Sequence, residues 1–123
     1  MAIKIYHDED CTQEVTEANP IRTDHPISGS TETVQVYVKN DNADRYYTDV
    51  TAQPQGDDAS FIDLSLDGSD YADTLDLSDF GSEGNADTSV RNLWVKVTTP
   101  QVDEVQNRRD SSVNISAKEY AVD

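Results

Sequence analysis

Apolar residues recur at every second position in several short stretches of this chain. That period marks strands with one face buried and one face wet. The clearest stretch spans residues 32–52. Val34, Val36 and Val38 alternate with Gln35, Tyr37 and Lys39. Residues 40–44, Asn-Asp-Asn-Ala-Asp, then break the pattern with side chains that favour turns. Tyr46, Thr48, Val50 and Ala52 resume an alternation. The stretch reads as a hairpin, or as two strands joined across the end of a sandwich.

The same pattern recurs elsewhere. Ile3 and Ile5 mark a first strand, with Lys4 and Tyr6 on its other face. A short strand around Val15 is expected over residues 13–16. Residues 17–30 contain Pro20 and Pro26, which exclude a helix and a central strand and leave a connection or an edge segment. Ile21 and Ile27 are expected to pin that segment to the core. Residues 53–58 read as a loop. Ile62, Leu64 and Leu66 share one strand face, and Asp67-Gly68-Ser69-Asp70 is a turn signal. A strand is expected over residues 74–77 and a flexible acidic loop over 81–89. Leu93, Val95 and Val97 oppose Trp94 and Lys96 in a strand over residues 90–99. Residues 101–110 could hold one helical turn. In the last strand, Val113, Ile115 and Ala117 give way to Tyr120 and Val122 in the opposite phase, which predicts a β-bulge at Lys118-Glu119.

Seven or eight short strands between Gly, Pro, Asn and Asp clusters predict an all-β, two-sheet antiparallel sandwich. At 123 residues, the chain is expected to form a single domain over 1–123. Apolar residues make up only 35% of it, so the core must be economical, and a sandwich needs only alternate positions to be apolar.

Charge changes the picture most. The net charge is −16, from 25 acidic residues against 9 basic ones, and the only lysines are Lys4, Lys39, Lys96 and Lys118. Abundant Asp, scarce Lys and acids spread over the loops resemble proteins of halophilic archaea and their viruses. In molar salt the Debye length falls to about 3 Å and self-repulsion is screened. Nucleic acid is an unsuitable partner, because phosphates are bound by clustered Lys and Arg and Arg108-Arg109 is the only basic pair. No signal peptide or membrane span is visible, so the chain is expected in the cytoplasm or in a particle assembled there.

Catalytic signatures are sparse. His7 and His25 lack a partner at metal-ligand spacing, and no Gly-x-Ser-x-Gly elbow or phosphate-binding glycine loop occurs. Cys11 is the single cysteine, and its acidic neighbours should raise its pKa rather than activate it. Asp67, Asp70 and Asp73 begin an every-third-residue run of Asp. They are weak metal candidates, because the run lacks the spacing and closing Glu of a calcium loop. No enzyme activity and no cofactor are expected. The aromatic residues are more informative. Tyr6, Tyr37 and Trp94 fall opposite the aliphatic faces, and one of the adjacent Tyr46 and Tyr47 must do the same. Tyr and Trp are enriched in interfaces, so Tyr6, Tyr37, Tyr46, Tyr47 and Trp94 are the candidate contact residues.

The segment Val34-Gln35-Val36-Tyr37-Val38-Lys39-Asn40, followed by Tyr47-Thr48-Asp49-Val50, resembles the strand pair of Ig-like β-sandwich modules. In those modules an alternating valine strand ends in Lys-Asn and the next carries an Asp-Val or Asn-Val pair. The paired cysteines of antibody domains are missing, since Cys11 has no mate. Such modules occur in secreted adhesins and in the shells and tails of double-stranded DNA viruses. With the halophile-like composition, the resemblance implies a small structural protein of a tailed virus of a halophilic archaeon. A capsid decoration or head-surface protein is the leading expectation, with a neck, tail or baseplate component next. Its partners would be other virion proteins, with homo-oligomerisation, and its place the virion. A carbohydrate- or cell-surface-binding module is the alternative of another class, with Tyr37 and Trp94 as its aromatic platforms.

Overall fold

The computed structural model describes residues 2–16, 18–25, 28–55, 59–99 and 106–122. Among these residues ten strands run in chain order: β1 (Ile3–Tyr6), β2 (Ile21–His25), β3 (Thr31–Asn40), β4 (Arg45–Gln55), β5 (Ile62–Ser65), β6 (Leu75–Asp76), β7 (Gly81–Ser82), β8 (Asn85–Ala86), β9 (Arg91–Thr98) and β10 (Gln106–Ala121). A 3-10 turn, Ala59–Phe61, precedes β5. The first sheet has the order β1-β3-β9-β5 and the second β2-β10-β4-β6, all pairs antiparallel, while β7 and β8 form a separate small hairpin.

The valine strand and its successor therefore lie in different sheets, the second of the two arrangements that the sequence allows. The long strands alternate between layers along the whole chain. In the immunoglobulin arrangement the first two strands are neighbours in one sheet. Here β1 and β2 are in different sheets, so the likeness of the valine strand does not extend to strand order.

One core joins the inner faces of the two layers. Ile3, Ile5, Val36, Val38, Leu93, Val95, Val97, Ile62 and Leu64 come from the first sheet. Ile21, Tyr47, Val50, Ala52 and Ile115 meet them from the second, with Leu77 and Phe80 packed alongside. Each fully buried Val, Leu, Ile or Phe contributes about 1.5–3 kcal/mol relative to exposure. The alternating valines and leucines thus supply much of the cohesion.

The inward residues of β4 do not follow a simple alternation. Tyr47 and Val50 are both buried although they are three apart. Ser116 pairs with Thr51 and Lys118 with Thr48, so two residues of β4 oppose one of β10. That is a β-bulge, and Asp49 occupies it with a φ of 52°. Asp tolerates this left-handed backbone better than most residues. The expected bulge at Lys118-Glu119 is therefore on the partner strand. From Ser112 to Ala121 β10 keeps one phase, and Tyr120 points outward rather than into the core; β10 has its own register shift earlier, between Arg108 and Ser111 opposite β2. The bulge also decides which neighbouring tyrosine is buried: Tyr47 is inside and Tyr46 outside.

Other expectations need correction. Residues 106–110 belong to β10 and not to a helical turn, while residues 101–105 lie outside the described set. Ile27 also lies outside it, whereas Ile21 is fully buried. Leu66 is 45% exposed, because β5 ends at Ser65 and the turn begins there. The acidic stretch after Phe80 is a hairpin, closed by mutual pairing of Gly81–Ser82 with Asn85–Ala86. Around Val15 only a single bridge, Tyr6 with Glu14, forms beside β1.

Candidate docking face

The outer face of the first sheet is built by the residues that alternate with its core positions. Its cross-strand rows follow from the register. Lys4 lies opposite Lys39, and Tyr6 opposite Tyr37. Tyr37 then lies opposite Asn92, Gln35 opposite Trp94, and Thr33 opposite Lys96. Ser65 and Asp63 of β5 extend the last two rows. Tyr37 and Trp94 thus sit at diagonal corners of a square whose other corners are the carboxamides of Gln35 and Asn92. Gln35 Nε2 donates to Asn92 Oδ1 at 3.3 Å, which ties those two corners together.

Three of the four lysines, Lys4, Lys39 and Lys96, lie on this face. Each meets one acid or one ring. Lys4 pairs with Glu14 at 3.4 Å and Lys39 with Asp41 at 3.1 Å. Lys96 Nζ sits 4.1 Å from the centre of the Tyr71 ring, and Asp63 faces it across the ladder. The face is close to neutral within a chain of net charge −16.

The turn after β5 borders it. Asp67 Oδ1 accepts from the backbone N–H of Ser69 at 2.8 Å and of Asp70 at 2.9 Å, and from Ser65 Oγ at 2.8 Å. Those donors hold the Asp67 carboxyl down to about 2. The turn places Gly68 against Trp94. A Cβ at Gly68 would stand 3.3 Å from the indole Cε2, and the residue's φ of +79° also favours glycine. Trp94 is consequently half-buried under that turn.

The candidate contact residues separate. Tyr37 and Trp94 share this face. Tyr6 also points to it, but it is buried and its hydroxyl donates to the Asp41 carboxylate. Burial, and then that carboxylate, push the Tyr6 hydroxyl well above its ordinary pKa. Tyr47 is a core residue: its hydroxyl accepts from the Ala2 N–H at 3.0 Å and donates to Glu119 Oε1 at 2.6 Å. Burial and the Glu119 bond raise its pKa. Tyr46 is on the opposite side of the sandwich, stacked on Tyr120 with ring centroids 5.1 Å apart. Tyr6 and Tyr47 are thus corrected from surface contacts to structural residues. The sequence reading placed Gln35 on this face but named neither it nor Asn92 as a contact residue, although the parity that located Trp94 locates Asn92 too. Tyr71 carried no such signal, because it lies in a turn.

Asp67, Asp70 and Asp73 do not converge, and Asp67 is occupied in building the turn. Among the described residues, no three His, Cys, Asp or Glu side chains are grouped as a metal site needs. Burial, ahead of the acids Asp41, Asp8 and Asp10, pushes the Cys11 thiol up, against the opposing pull of Lys39. No helix among the described residues is long and apolar enough to cross a membrane. Comparison with protein-family models, with curated proteins and with solved structures finds no match.

Proposed function

We propose that this chain is a non-enzymatic structural protein of a virion, a capsid decoration or head-surface subunit. It packs against copies of itself and other shell proteins through the outer face of the first sheet. One observation carries the reading: Tyr37, Trp94 and three of the four lysines gather on one face of a chain whose net charge is −16. An acidic subunit can approach acidic neighbours only where its own repulsion is locally cancelled. Half-exposed aromatic rings flanked by carboxamides supply contact area and directed hydrogen bonds at such a place.

Composition supports the setting. Among the side chains whose burial is described, no acid is buried, so these acids form a solvated shell around the sandwich. Such a shell suits molar salt, in which charge repulsion between close-packed subunits is screened within about 3 Å. Sedimentation equilibrium in molar KCl tests the proposal. A stable oligomer, or co-sedimentation with virion shells, is the expected result. A monomer at all accessible protein concentrations that also fails to bind shells would overturn it.

A further inference from the structure

We infer that the outer face of the second sheet binds a neutral polysaccharide. This inference stands on that face alone and does not require the docking proposal. Four cross-strand rows of β4 and β10 build the face: Gln53 with Asn114, Thr51 with Ser116, Thr48 with Lys118, and Tyr46 with Tyr120. At the strand rise, the ladder is roughly 20 Å long. Two of its rows hold only carboxamides and hydroxyls. These groups donate and accept hydrogen bonds together, as sugar hydroxyls do. Asn114 Nδ2 and Ser116 Oγ are already in register with one another at 3.3 Å.

The charge pattern selects the ligand. Lys118 is paired with Asp49 at 3.1 Å, so the strip carries no net charge, and Asp76, opposite Thr51, marks its border on β6. The surrounding molecule is strongly acidic. A polyanion is repelled by that surround and finds no free cation on the strip. A cationic ligand has the acidic loops to choose from. A neutral, hydroxyl-rich chain meets neither obstacle.

One end of the ladder supplies an apolar surface. The Tyr46 and Tyr120 rings stack with planes 16° apart, and Tyr120 stays 43% exposed. An open ring with a polar rim suits the C–H face of a pyranose, while the sugar's hydroxyls reach the polar rows beyond. Strand propensity accounts for the threonines and tyrosines of the set but not for Asn114, since Asn is depleted in strands and Asn114 lies well inside β10. The face also lies on the other side of the sandwich from Tyr37 and Trp94. A subunit docked by its first sheet would therefore present this strip to the medium.

Affinity electrophoresis in molar KCl tests the inference with dextran, mannan, galactan and a mixed-linkage β-glucan, and with dextran sulfate as the anionic comparison. At least one neutral polymer is expected to retard the protein, and dextran sulfate is not. Tyr120→Ala should weaken retardation about threefold to tenfold, the usual worth of one ring contact. Gln53→Ala/Asn114→Ala, which leaves the ring pair intact, should weaken it as well, whereas Glu9→Gln, an exposed position in the turn after β1 that belongs to neither face, should not. Circular dichroism confirms that each variant is folded. Three results would overturn the inference. They are no retardation by any neutral polymer, equal retardation of the native and both second-sheet variants, or conversion of an oligomer to a monomer by Tyr120→Ala, which would make the strip a subunit contact.

Discussion

Replacing Arg91 by alanine should loosen the whole excursion between β5 and β9. The guanidinium stands at the head of β9 and clasps residues that precede it. Nη1 donates to the Ser78 carbonyl, and Nη2 donates to the Asp79 carbonyl at 2.6 Å and to Asp87 Oδ2 at 3.1 Å. Its plane lies 3.7 Å from the centre of the Phe80 ring, which is fully buried. The magnitude follows from these parts. The two charge-assisted bonds to carbonyls contribute about 1.5 kcal/mol each, the low end of their range, because Ser78 and Asp79 are exposed and their carbonyls can rehydrate. The half-exposed Asp87 pair contributes at most about 1 kcal/mol. The contact with Phe80 adds about 0.5–1 kcal/mol. These are not additive, since all share one side chain, and a net loss of about 2–4 kcal/mol is expected. For a chain of this size that lowers Tm by roughly 10–15 °C. Thermal unfolding followed by circular dichroism at fixed molar KCl is the assay. Arg91→Lys, which keeps the charge but not the planar fork, should lose about half as much, and Asp87→Asn no more than about 1 kcal/mol. The reasoning is refuted if Arg91→Ala lies within about 0.5 kcal/mol of the native protein, the range of an ordinary surface substitution. It is equally refuted if Asp87→Asn costs as much as Arg91→Ala.

Three further outcomes are expected. Asn40 is fully buried, donates to the Arg45 carbonyl at 3.0 Å and accepts from the Asn42 N–H at 2.9 Å, so Asn40→Ala should cost about 2–3 kcal/mol in chemical unfolding. The Asp67 carboxyl is held down to about 2, so its contribution is present above about pH 4 and is lost as pH falls from there through 2. An NMR titration of that carboxyl should show the depressed midpoint, and an ordinary midpoint near 4 would contradict the turn geometry. Unfolding midpoints should fall sharply as KCl drops from molar to about 0.1 M, where the Debye length reaches about 10 Å; unchanged midpoints would remove the argument for a halophilic setting.

How much of this was legible in the sequence depended on whether parity survived. Where a strand ran without interruption, as from Val34 to Val38 and from Leu93 to Val97, the period of two identified both the core face and the open face. Where one residue was inserted, it failed. Asp49 shifts the phase of β4, and nothing in a simple alternation shows that Tyr47 goes in and Tyr46 out. The available clue was an Asp in mid-strand, where Asp is disfavoured unless the backbone leaves the extended region. The small hairpin after Phe80 was missed because its strands are two residues long, too short for any period. Its glycines do carry the signal: Gly81 has a φ of +104°, and a Cβ there would stand 2.2 Å from the Asn85 carbonyl oxygen. The Arg91 clasp left no trace in the hydrophobic pattern, because its two carbonyl partners lie more than ten residues earlier and carry no side-chain signal. In the docking face, Tyr37 and Trp94 were visible and the Gln35–Asn92 link was not, since register between β3 and β9 is a product of the fold.

Sedimentation equilibrium on paired variants tests the central claim, that the outer face of the first sheet is the docking surface. Gln35→Arg/Asn92→Arg places bulk and charge in the middle of that face, at two exposed positions that the core does not use and that docking would desolvate. Gln53→Arg/Ser116→Arg does the same on the opposite sheet. In molar KCl the account predicts an oligomer for the native protein and for the second-sheet variant, and a folded monomer for the first-sheet variant. A native monomer, or two variants that associate alike, would contradict it.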